Sequence, residues 1–110
     1  MNPWTFFHTS SGKRIRFRRK HPAETYAGCP GILGFTMIDD FTVRALHFRA
    51  TNDLACADAG RISMDPTYHS LLSYGKIGVA VCVLRNTSAE ERDALAKALN
   101  DAIIRHPKAA

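Results

Sequence analysis

Lys76-Ile77-Gly78-Val79-Ala80-Val81-Cys82-Val83-Leu84-Arg85 carries two apolar faces at once. Val79, Val81 and Val83 fall on one side of an extended chain, and Ala80, Cys82 and Leu84 on the other. A strand that is apolar on both sides belongs in the middle of a sheet, or beneath a covering helix. The covering helix follows directly. Ser88-Ala89-Glu90-Glu91 is a capping box, in which the hydroxyl and the carboxylate three residues on each satisfy the other's backbone N–H. Acids fill the first turn, where the helix dipole favours them. Leu95, Leu99, Ala102 and Ile103 form one apolar stripe. Asp93–Lys97 and Asp101–Arg105 are acid-before-base pairs one turn apart. The spacing predicts a helix over Ser88 to His106, ended by Pro107.

Working backwards, Asp65-Pro66 is a helix start, since proline at the first helical position has no N–H to leave unpaired. The helix should run to about Tyr74 and stop at Gly75. Thr51 to Gly60 is ambiguous, with Asn52 or Asp53 able to cap a short helix through Leu54-Ala55-Cys56-Ala57. Phe35–Ile38 and Phe41–Arg49 read as strands around an Asp39-Asp40 turn. Phe41, Ala45 and Phe48 also fit a helical spacing, but Phe41-Thr42-Val43 favours a strand. Lys20 to Gly34 holds two prolines and three glycines and reads as a loop, long enough to be functional or mobile.

Towards the amino end, Trp4–His8 is an aromatic strand and Thr9-Ser10-Ser11-Gly12 a turn. Lys13–Arg19 alternates with period two, Ile15 and Phe17 against Arg14, Arg16 and Arg18. If Thr9 pairs with Gly12, then Phe6 faces Ile15 and Trp4 faces Phe17 on an apolar inner side. Phe7 then lies among the arginines on the outer side. The expected architecture is an α+β fold. It has a mostly antiparallel sheet of four to five strands, one long C-terminal helix packed on a face, and one short inserted helix. At 110 residues the chain fits one domain, 1–110, with no internal boundary.

Composition narrows the classes. Apolar residues are 45% and charged residues 23%, which excludes a disordered chain. The longest apolar run, Val79–Leu84, is far short of the roughly 20 residues a membrane-spanning helix needs. No signal-peptide pattern opens the sequence, and a cytoplasmic location is expected. Cys29, Cys56 and Cys82 are odd in number and widely spaced, so three reduced thiols are expected rather than a disulfide framework. Cys29, between Gly28 and Pro30 with His21 in the same loop, reads as the most exposed thiol. His8, His21, His47, His69 and His106 show no metal-ligand spacing. No metal and no cofactor is expected.

The charge is uneven. Residues 1–22 hold six cations and no acid; the remainder carries a net −1, which gives the overall +5. The excess is Lys13, Arg14, Arg16, Arg18, Arg19 and Lys20. Arginines two apart on a strand project to the same side about 6.5–7 Å apart, a spacing comparable to that of phosphates along a nucleic acid strand. Guanidinium groups grip phosphate or carboxylate in two-pronged fashion. An edge strand guarded by charge is the bland alternative, but lysine is the usual guard. The expected function is that of a small non-enzymatic binding protein. Phe7, Lys13, Arg14, Arg16, Arg18, Arg19 and Lys20 would grip an acidic partner, either a nucleic acid backbone or an acidic protein surface. Size suggests, by analogy, an accessory or inhibitor protein of a phage or mobile element. One alternative is a small metal-independent ribonuclease, with His8 or His21 and Tyr68 or His69 supplying acid and base beside the arginines. Another is a homodimer formed through whatever apolar sheet face the helix leaves open.

Overall fold

The structure, a computed structural model, describes residues 2–105, with side chains as far as 103. Two hairpins and one late strand build an α+β fold on a curled five-stranded sheet. The first hairpin is β1 (Trp4–His8) and β2 (Arg14–Arg19); the second is β3 (Gly31–Asp39) and β4 (Thr42–Thr51). Strand β5 (Gly78–Val83) enters between them, giving the order β1-β2-β5-β3-β4 with every neighbour antiparallel. The doubly apolar strand is therefore central, as its side chains require. The chain reaches it through a 3-10 turn at Leu54–Ala57, α1 (Ala59–Ile62), α2 (Pro66–Leu71) and a second 3-10 turn at Leu72–Tyr74. Asp53 caps the first turn. Asp65 caps α2, its Oδ1 accepting from the Thr67 and Tyr68 N–H groups.

Helix α3 (Ala89–Arg105) closes the fold. Its capping box forms in both directions: Glu91 N donates to Ser88 Oγ and Ser88 N to Glu91 Oε1, each at 3.1 Å. The helix packs Ala96 and Leu99, with Leu95 and Ile103 beside them, on the face formed by Phe7, Ile15, Phe17, Ile32, Phe48, Ala80 and Cys82. The rings of Phe7 and Phe48 meet edge to face at 5.3 Å although they belong to the first and last strands of the order. The sheet thus curls until its two edges meet across the core. Arg92 is also buried on this helix, its guanidinium donating to Thr87 O and Asn52 Oδ1. Of the expected ion pairs, Lys97 turns to Asp101 at 2.8 Å instead of back to Asp93. The Asp101–Arg105 pair and the His106 end of the helix lie outside the described side chains and residues.

The opposite face is covered too. Leu33, Phe35, Val79 and Val81 pack under Leu54, Ala57, Ile62, Tyr26 and Cys29. Much of the sheet face that α3 leaves open is therefore covered by the chain itself. Cys29 is corrected as well: it is 8% exposed, a core residue, and Arg85 donates to its Sγ at 3.3 Å. The loop from residue 20 ends at Pro30 and is pinned, with Gly28 N donating to Asp53 Oδ1 and Thr25 Oγ1 to Asp58 Oδ2.

Both hairpin turns differ from expectation by one residue. In the first, Thr9 N donates to Lys13 O and Gly12 N to Thr9 O, so the loop is Ser10-Ser11-Gly12, with Gly12 at φ +89°. This is a three-residue connection with glycine in its left-handed position. In the second, Asp39 pairs with Thr42, and the turn is Asp40-Phe41 rather than Asp39-Asp40. Both of its central residues have positive φ, as a type I′ turn demands.

Candidate anion-binding face

The single extra residue in the first loop reverses the faces of β1. The observed pairs are Trp4–Arg18, Phe6–Arg16, Phe7–Ile15 and His8–Arg14. Phe7, expected among the arginines, is instead 8% exposed between Phe17 and Phe48. Trp4 and Phe6, expected in the core, are each 41% exposed on the cationic side. The outer face of the first hairpin therefore interleaves Trp4, Phe6 and His8 with Arg14, Arg16 and Arg18.

These groups touch one another. The guanidinium carbon of Arg14 lies 3.7 Å from the centre of the Phe6 ring. That of Arg16 lies 4.3 Å, and that of Arg18 5.3 Å, from the Trp4 ring. A guanidinium above an aromatic face gains about 0.5–1 kcal/mol at an exposed site. It also loses freedom, so less remains to be lost when it meets a ligand. Arg14 and Arg16 make no ion pair among the described residues.

The other sequence-derived cations are placed differently. Arg18 is neutralised by the chain itself, its Nε donating to Glu24 Oε2 at 3.0 Å. The Tyr26 hydroxyl donates to the same oxygen and His21 N to the other one. The His21 backbone N–H, followed by Arg18, holds the Glu24 carboxyl below the usual carboxylate range. Lys13 is exposed at the end of the turn, next to Arg14 in sequence. Arg19 has the parity of Ile15 and Phe17 and leaves the outer face; with Lys20 and Lys76 it lines a separate cleft of about 310 Å³. The expected row of cations is thus reduced on the outer face to Arg14 and Arg16, with Arg18 paired to Glu24; Lys13, exposed at the turn, has the parity of Ile15.

Glu24 and Tyr26 were not legible as part of this surface, since nothing local ties a loop residue to a strand six positions earlier. Tyr26 joins Trp4, Arg16, Arg18, Val81 and Val83 around a slot of about 190 Å³. The slot has an apolar floor and a cationic, aromatic rim.

The groups named for nuclease chemistry sit on different elements: His8 on β1, His21 in the loop after β2, and Tyr68 and His69 on α2. Arg49, on β4, binds the α2 cap Asp65 at 2.6 Å, which anchors the start of the Tyr68–His69 helix at that strand. His21 Nδ1 accepts from Ala23 N within its own loop. His47 is half-buried and stacked on Phe35; burial, then the nearby Arg49 charge, lowers its pKa. The described residues hold no cluster of three or more His, Cys, Asp or Glu side chains able to bind a metal ion. Nor do they contain a helix long and apolar enough to cross a membrane. No family model matches the chain, and neither curated proteins nor solved structures give a significant match.

Proposed function

We propose that this chain is a binding protein that grips an anionic partner with the outer face of its β1–β2 hairpin. One observation carries the reading. Arg14 and Arg16 are stacked on half-exposed aromatic rings, without an ion pair among the described residues, on the solvent-exposed side of the hairpin. A charged guard on an edge strand needs neither the aromatic rings nor the ordered guanidiniums. An anion-binding surface gains from both, because ordered donors bind phosphate or carboxylate with less loss of entropy. The proposal includes a reducing, cytoplasmic setting, supported by free cysteines of which Cys29 and Cys82 are buried.

Binding to heparin and to mixed-sequence nucleic acid, measured across a salt series, tests the reading. Affinity should fall steeply as salt rises. Arg14→Ala with Arg16→Ala should weaken binding about ten-fold at low salt. Lys97→Ala removes a cation from the exposed side of α3 and should change little. Equal losses per charge removed from the two variants would show that net charge, not this face, does the binding.

A further inference from the structure

We infer that the hairpin face is a platform for single-stranded nucleic acid, whose unpaired bases stack on Trp4 and enter the slot between Trp4 and Tyr26. This rests on the anion-binding reading and narrows it to one class of partner.

The slot decides the class. It lies on the same face as Arg16 and Arg18, its floor is Val81 and Val83, and it measures about 190 Å³. Val83 is among the exposed large hydrophobic residues. Carboxylates on a protein surface would use the guanidiniums but have no part to place against valine, indole and phenol. A duplex offers phosphates while keeping its base faces stacked away. A single strand offers flat, apolar base faces and an anion at every step, which is the pairing this surface presents. The guanidiniums serve both halves. Lying over Trp4 and Phe6, they keep their N–H edges available for phosphate oxygens, while their outer planes are themselves stacking surfaces for a base. Arg14 and Arg16 are one strand repeat apart, roughly 6.5–7 Å, so they can meet successive units of an extended strand.

Trp4 is the only tryptophan in the chain, so its emission reports on this site alone. The experiment compares an oligothymidine of about twelve nucleotides with an abasic strand of equal length and charge, with heparin, and with polyglutamate. The oligothymidine should bind about ten-fold more tightly than the abasic strand and quench the tryptophan emission. Trp4→Ala, checked for folding by circular dichroism, should remove that advantage, weakening heparin no more than it weakens the abasic strand. The comparison of strands on the unaltered protein holds even if the variant fails to fold. Equal affinity for the two strands, with heparin still bound, would overturn the base slot and leave the anion-binding reading intact. Preference for polyglutamate over the oligonucleotide would overturn it in favour of an acidic protein. Failure to bind any polyanion at low salt would remove both readings.

Discussion

Glu24 reaches back six residues to hold Arg18, carboxylate oxygen to Nε at 3.0 Å, and so withdraws one of the three outward-facing arginines from the cationic face. The pair can be undone by mutation or by acid. Glu24→Gln keeps an acceptor for the His21 N–H but releases the Arg18 charge. Affinity for a polyanion should rise, and the salt slope should steepen by about one unit. Acid should act in the same direction. The folded carboxyl titrates below its unfolded counterpart, so the stability it contributes is present above the unfolded pKa and is lost as pH falls through the folded one. As pH falls through the folded value Arg18 is freed and polyanion binding should tighten, while Glu24→Gln should show a flatter profile. Binding isotherms at two salt concentrations for each pH would check both statements.

Gly31 begins β3 where that strand lies hard against β5. A Cβ there would overlap the carbonyl oxygen of Cys82 and press on Leu54. The obstacle is backbone in the middle of the sheet, which cannot turn aside as a side chain can. Gly31→Ala should cost roughly 2–3 kcal/mol, as overpacking of a tight core does, measured by urea denaturation. Gly60→Ala provides the contrast, since a Cβ at that position meets nothing within 4 Å.

Much of this architecture is written in short-range pattern. The central position of β5 follows from its doubly apolar alternation, and the start of α3 from the Ser88–Glu91 box. The parity of β1 is not written that way. It turns on whether the first loop holds two residues or three, and one residue moves Trp4 and Phe6 from core to surface. The third loop residue, Gly12, was the available signal, since a glycine at that place suits a left-handed residue closing a three-residue loop. The helical spacing that competed with the strand reading of β4 has a related cause. A register shift between the Phe35 and Thr36 pairs leaves Leu46 without a partner on β3. Ala45 and Phe48 thereby reach the same core at a three-residue interval that imitates a helix. The Glu24–Arg18 pair and the Trp4–Tyr26 slot depend on how a loop folds back over the sheet, and no local spacing records that.

Asn100 docks α3 on the free edge of β4. Its amide accepts from Phe48 N and donates to Phe48 O, both at 2.8 Å, satisfying the edge groups that point away from β3. One side chain thus does for this edge what another strand would do, and blocks pairing with a second molecule. Asn100→Ala should cost about 2 kcal/mol, near 1 kcal/mol for each lost bond. Asn100→Asp should be no better, because its second oxygen would face the Phe48 carbonyl. Urea midpoints give the stability, and light scattering at raised protein concentration should show association of the alanine variant.

The tip of the second hairpin holds two residues other than glycine in left-handed backbone conformation. Asp40 and Phe41 sit at φ +49° and +66°, and Phe41 is 92% exposed, so its ring gains almost nothing from packing to offset the left-handed conformation. Such a conformation costs a residue with a Cβ roughly 1–2 kcal/mol relative to the right-handed one. Glycine escapes that cost but loses more backbone entropy on folding, so only part of it is recovered. Phe41→Gly, which gives the Asp-Gly pair that type I′ turns favour, should stabilise the fold by roughly 0.5–1 kcal/mol. Phe41→Val should destabilise it, since a β-branched residue tolerates positive φ poorly. Thermal melts of the two variants would check the ordering. Polyanion affinity should be the same in both, because the β3–β4 tip contributes nothing to the face that carries Trp4, Arg14 and Arg16.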